Sequence, residues 1–225
     1  MKKTKEDAAL TRKMLLDAAL NVFSHKGYAQ TTLEEVAREA GVTRGAIYWH
    51  FSNKFEMFYA VLQELYRKAG ERVTKIIDSD QRPVSKLHQL MREFLLIVAN
   101  EEEFGIIEEV QLFKTRKGEE FSRLYKDHVE NVKAMRELLA GLIREGIAAG
   151  EFDSSLDPEV IIVALLSYIA GIKSAWLSGI ADISIAENAG KLADIFIKGI
   201  ATPRRGEPIG PSGHLKASLN ESNQL

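Results

Sequence analysis

The chain has 225 residues, 45% of them hydrophobic, which is enough for two small units sharing one continuous core. A net charge of −2 argues against nucleic acid as a partner at first sight, but its distribution is uneven: residues 1–60 carry nine Lys/Arg against seven Asp/Glu, and the rest 21 against 25. The absence of cysteine excludes disulfides, thiolate metal sites and a cysteine nucleophile, and it suits a reducing cytoplasm.

The N-terminal stretch Met1-Lys2-Lys3-Thr4-Lys5-Glu6-Asp7 has no apolar run after its lysines, so no signal peptide is expected. No segment alternates with period two, and the chain reads as all-α with about nine helices. In the first helix Met14, Leu15, Ala18, Ala19, Val22 and Phe23 form the apolar stripe, which ends at Gly27. Thr32 with Glu35 predicts a capping box opening a second helix, along which Leu33, Val36, Ala37 and Ala40 recur at helical spacing. Gly41 is the expected stop, since a residue without Cβ takes positive φ freely. Thr43 caps a third helix of about a turn and a half that buries only Ile47 and Phe51. Its remaining positions carry donors and flat rings, the groups that reach phosphates and base edges from a DNA major groove. Helix, tight glycine turn and polar-faced helix together predict a helix-turn-helix.

A long fourth helix from near Asn53 to about Ile77 carries Phe55, Phe58, Tyr59, Leu62, Leu65 and Tyr66 and links two units mechanically. Pro83 fits the first turn of a fifth. A sixth spans roughly 102–115 and is broken at Lys117-Gly118. A seventh, bearing Leu124, His128, Leu139 and Ile143 among others, stops at Gly150. Asp157-Pro158 opens an eighth, and Ser184 with Glu187 forms a second capping box for a ninth. The eighth is apolar nearly all round, and a helix of that kind is buried on all sides. Lys173, Ser167 and Ser174 interrupt it too often for a membrane span, so none is expected. Its small residues Ala164, Ser167, Ala170, Gly171 and Ala175 permit close helix approach, and a two-fold dimer is the simplest way to cover its second face. A monomer with a fully internal helix is the other solution. Residues 202–225, with three prolines, three glycines and mostly polar side chains, predict a disordered tail.

From about Thr11 to Leu62 the chain resembles the DNA-binding domain of the tetracycline-repressor (TetR) family of bacterial transcription regulators. The resemblance is carried by Phe23-Ser24-His25-Lys26-Gly27-Tyr28, Thr31-Thr32, Ala40-Gly41-Val42-Thr43-Arg44-Gly45, Tyr48-Trp49-His50-Phe51 and Lys54. The string from Val42 to Phe51 is most similar to the multidrug-efflux regulators of that family, the AcrR-like group. The rest of the chain resembles the family only in length and helical pattern.

The resemblance implies a helix-turn-helix domain over residues 1–53 and a helical effector-binding and dimerisation domain over 54–201 with helix 54–77 as connector, ahead of the tail that composition predicts over 202–225. It also implies a homodimer through helices eight and nine, about 158–178 and 184–200. The expected DNA-facing residues are Thr32, Thr43, Arg44, Gly45, Tyr48, Trp49, His50 and Lys54. Tyr48 and His50 resemble family positions that bond phosphates, and Lys54 is expected on phosphate as well. Trp49 is expected against sugar or a thymine methyl. Arg44 has two readings, a guanine edge or a phosphate. Thr32 is mainly a cap, with its backbone N–H a candidate phosphate contact.

A small-molecule pocket is expected among helices four to eight. Its candidate lining is Phe94, Phe104, Ile107, Glu108, Gln111, Phe121, Tyr125, His128 and Trp176. The five histidines show no HxxxH or HExxH spacing, and GxSxG, GxGxxG and P-loop patterns are missing, so no catalytic residue, metal or cofactor is expected. The combined expectation is a cytoplasmic, homodimeric repressor that binds a palindromic operator in double-stranded DNA and is released by a small hydrophobic effector. The alternative is a constitutive DNA-binding or DNA-organising dimer without an effector.

Overall fold

The computed structural model describes residues 5–115, 117–180 and 182–202, without the side chains of residues 101, 104, 108 and 112. Lys2, Lys3 and residues 203–225, most of the expected tail, therefore lie outside the described residues, as do the side chains of Phe104 and Glu108. Among the described residues the chain is all-α, with nine helices and no strand.

Helix α1 (Lys5–Gln30) breaks at Gly27, whose φ of 73° only a residue without Cβ adopts easily. Its buried stripe is Leu15, Leu16, Ala18, Ala19, Val22 and Phe23. Met14, expected on that stripe, is exposed. The helix faces the core one position further round, so Leu16 takes that place. Helix α2 (Leu33–Glu39) begins with the full capping box: Thr32 accepts from the Glu35 N–H while the Glu35 carboxylate accepts from the Thr32 N–H. Gly41 turns the chain with φ 66°. Helix α3 (Arg44–His50) starts at Thr43, whose hydroxyl accepts from the Ala46 N–H. Ile47 and Phe51 anchor α3 and are fully buried.

Helix α4 (Lys54–Ile77) is capped by Asn53. It is followed by α5 (Pro83–Ala99), with proline in its first turn, and by α6 (Glu101–Leu112). The expected end of the sixth helix, at 115, is reached in a tighter 3₁₀ turn over Phe113–Thr115. Then come α7 (Glu119–Ala148), α8 (Pro158–Leu177) and α9 (Ile185–Ile200). Ser184 accepts from the Glu187 N–H, one half of the expected box.

Three apolar cores hold these elements. The first joins α1–α4 to Ile106, Val110, Phe113 and Leu124 from the helices that follow. At its centre Tyr28, Phe58, Phe113 and Phe121 meet edge to face or tilted, with ring centroids 5.0–5.8 Å apart. Gly105 brings α6 onto α1, since a Cβ there would lie 3.4 Å from the Ser24 backbone. The helix-turn-helix region is therefore packed directly on α6 and α7. The second core packs α5, α7, α8 and α9 around Leu90, Met91, Ile143 and Ile162. The third, around Leu95, Val98, Ile185 and Ala189, seals α5 against α9.

Candidate nucleic-acid interface and effector region

Helix α3 projects its side chains outward from a two-residue anchor. Trp49 is 71% exposed, Tyr48 is exposed, and the Arg44 side chain stands free of the core. A Cβ at Gly45 would meet nothing closer than the Thr43 hydroxyl at 3.9 Å, so internal packing does not require glycine there. A glycine in an exposed helix costs about 1 kcal/mol relative to alanine, and no contact within the protomer offsets that cost. The indole of Trp49 meets the His50 ring edge-on at 4.5 Å. Lys54, at the start of α4, donates to the Ala29 carbonyl at 3.0 Å and stands 4.7 Å from the Tyr28 ring. Thr43, Arg44, Gly45, Tyr48, Trp49 and His50 thus share one short element, with Lys54 at its flank. The Thr32 backbone N–H is engaged by Glu35, and Lys26 holds the other carboxylate oxygen at 2.6 Å.

Sequence reasoning missed Glu34. One of its carboxylate oxygens accepts from the Tyr48 hydroxyl at 3.0 Å and lies 3.1 Å from Arg44 Nε. Its own backbone N–H, then Tyr48, then Arg44 hold this carboxyl below the usual carboxylate range. No pattern in the sequence signals this pairing, because it depends on the crossing of α2 and α3.

The expected effector residues divide. Phe94 packs on the second core, Phe121 belongs to the aromatic centre of the first, and Trp176 packs on the third. Ile107 is half-buried. Gln111, Tyr125 and His128 do come together. His128 is 7% exposed, with Nδ1 at 2.5 Å from the Tyr66 hydroxyl and Nε2 at 3.0 Å from the Gln111 side-chain amide. The Tyr125 ring lies 6.2 Å from the imidazole. Burial pushes the His128 pKa down and the Tyr66 pKa far up, so both are neutral at pH 7. Tyr66 was missed as a site residue. The signal was present, since a tyrosine on a buried helix face needs a partner for its hydroxyl. Two clefts are described elsewhere: one of about 450 Å³ between α1 and α6, lined by Ser24, His25, Asn100 and Glu102, and one of about 220 Å³ between α4 and α5, lined by Arg72, Gln89 and Arg92 among others.

On α8 only Ile161, Ile162 and Leu165 are buried. Val160, Val163, Ala164, Ser167, Ala170, Gly171 and Ser174 are exposed at the spacing of a single helix face. By length and composition alone this helix is long and apolar enough to cross a bilayer, a property it shares with core helices of globular proteins.

A short turn of two helices displaying Arg44, Tyr48 and Trp49, carried on a helical body, defines a helix-turn-helix regulator. The family model of bacterial regulatory proteins of the tetR family matches residues 15–61, and that of the tetracyclin repressor-like C-terminal domain matches 80–200. The HTH-type transcriptional regulator TtgR of Pseudomonas putida is 34% identical over 185 residues, covering 79% of this chain and 85% of its own. The HTH-type transcriptional regulator AcrR of Shigella flexneri is 28% identical, covering 78% and 82%. The structure of NalD, the secondary repressor of the MexAB-OprM multidrug efflux pump in Pseudomonas aeruginosa, superposes with a TM-score of 0.63 at 27% identity, over 89% of this chain and all of NalD. This chain belongs to the tetR family of bacterial regulatory proteins.

Proposed function

We propose that the protein is a cytoplasmic transcriptional repressor that binds a palindromic operator as a homodimer and leaves it when a small, largely apolar molecule binds the helical body. The observation that carries DNA binding is the outer face of α3: Arg44, Gly45, Tyr48 and Trp49 are displayed to solvent around an anchor of only Ile47 and Phe51. Residues 1–53 form the DNA-binding part and 54–201 the effector-binding and dimerising part, with α4 between them.

The exposed stripe of α8, with the exposed Ile195 of α9, supports a two-fold interface between copies. An exposed apolar face of this size on a regulator marks a partner surface. Lys173 within the helix, and its attachment to α7 and α9 in the second core, weigh against a lipid setting. For the effector, Tyr66, His128 and Gln111 supply a small polar anchor beside Tyr125. Release requires the effector to favour one dimer geometry over the other, because equal affinity for both shifts nothing. Helix α4, which holds Tyr66 near its middle and meets α3 at its start, carries the difference.

Packing of Phe94, Phe121 and Trp176 into three separate cores favours the second reading, a constitutive DNA-binding dimer. It is tested by screening compounds for a thermal shift and then for operator release.

The DNA interface is tested with Trp49→Ala and Lys54→Ala. Trp49 touches no core, so its removal changes folding stability by less than about 0.5 kcal/mol. Duplex affinity measured by fluorescence anisotropy falls at least about tenfold, and Lys54→Ala lowers the salt slope by about one for each phosphate that is no longer neutralised. Wild-type affinity in both variants refutes the interface.

A further inference from the structure

Arg44 and Tyr48 stand one turn apart on α3, and both converge on a single oxygen of Glu34 in the first turn of α2. The Arg44 guanidinium carbon also sits 5.5 Å from the centre of the Tyr48 ring. The guanidinium is thus fixed on two sides, by a carboxylate at Nε and by an aromatic face. An arginine tethered through Nε keeps both Nη groups free along its outer edge. That edge is the fork that pairs with the O6 and N7 of guanine. The tether also cancels charge. Glu34 stays ionised at neutral pH, since the Tyr48 hydroxyl and Arg44 add to its own backbone N–H in lowering its pKa. A neutral Arg–Glu pair has little attraction for a phosphate, whereas its directional donors remain. The Tyr48 hydroxyl donates to that same oxygen, so it is engaged here and not turned to solvent.

We propose that Glu34 is a positioning residue for sequence readout, holding Arg44 so that its outer edge addresses a guanine in the major groove. This rests on the reading that α3 enters that groove. Between the two open readings of Arg44 it selects the base edge. The pair is largely exposed, Arg44 at 74% and Glu34 at 47%, so the tether orients the guanidinium without contributing to the core. Its effect is a smaller loss of side-chain freedom when the base is met.

The test uses the full chain, the duplex selected by the wild type from a random pool, and every single base-pair variant of that duplex. Arg44→Ala flattens discrimination at one position in each half-site by about 10- to 100-fold. The double variant Glu34→Gln with Arg44→Ala leaves the salt slope within half a unit of wild type, because together the two changes remove a neutral pair. Glu34→Gln flattens the same position several-fold, and the double variant is no worse there than Arg44→Ala. Tyr48→Phe, which removes the second bond to the carboxylate, gives a smaller loss at that position. Three results overturn the proposal. Glu34→Gln tightening every duplex alike would make the carboxylate a mere repulsion. Glu34→Gln weakening every duplex alike would make it a support of the fold. The double variant lowering the salt slope by about one, with equal losses on every duplex, would make Arg44 a phosphate contact. Failure of the α3 reading itself is distinct: no duplex is selected, and Trp49→Ala behaves as wild type.

Discussion

His128 is a neutral imidazole whose two nitrogens are both occupied, and this has consequences for stability. The Gln111 amide nitrogen donates to Nε2, so Nδ1 carries the proton toward the Tyr66 oxygen. Burial lowers its pKa below the ordinary 6.5. A histidine depressed in the folded state contributes its stability above its unfolded pKa and loses it as pH falls through the folded one. The melting temperature is therefore expected to decline just below pH 6.5, before the carboxylates titrate. His128→Phe removes that part of the decline and costs about 1–3 kcal/mol at pH 7, because it leaves Tyr66 and Gln111 without their partner. Thermal melts of both proteins across that range check this, and an unchanged profile in the variant contradicts it. Single residues were partly legible in the sequence. His128 and Gln111 stood out as polar side chains on apolar helices. Glu34 did not, because an exposed glutamate looks alike whether or not an arginine from the next helix reaches it.

At the scale of elements the sequence was readable wherever the backbone itself needs a particular residue. The Thr32–Glu35 box, the Thr43 and Asn53 caps, Pro83 in a first turn and Gly41 and Gly150 at positive φ mark helix ends through local chemistry. The end of α6 was missed by three residues because the 3₁₀ turn at Phe113 answers to aromatic packing and not to a breaker. Phe121, expected as pocket lining, meets Tyr28 in a ring cluster across 93 positions, a contact that no local pattern signals. Helix α8 offers the clearest experiment at this scale. A Cβ at Gly171 meets nothing within 4 Å in the protomer, so a side chain there is felt only by a partner. Gly171→Asp should leave the monomer fold intact while placing an unpaired charge in the interface, at a cost of about 3–5 kcal/mol. Sedimentation is expected to show the wild type as a dimer and the variant as a monomer at micromolar concentration. A dimeric variant, or a monomeric wild type, removes the α8 interface.

At the scale of the molecule, the first core runs without a break from α1–α4 into α6 and α7, and the proposed release from DNA rests on that continuity. Phe113 and Phe121 from the helical body lie in the same ring cluster as Tyr28 and Phe58 from the DNA-binding part. A shift of α6 or α7 therefore cannot leave α1 and α4 where they were, since packed aromatic cores resist continuous deformation. In a dimer joined through α8, such a shift changes the distance between the two α3 helices, which operator binding sets at about one DNA turn, ~34–36 Å. Whether two copies of α3 read one symmetric site is tested most directly by selecting duplexes from a random pool with the full chain. Inverted repeats bound by an even number of chains should be enriched, with half-site centres separated by about one helical turn or a small multiple of it. Enrichment of single, asymmetric sites, or no enrichment over the starting pool, would contradict that reading.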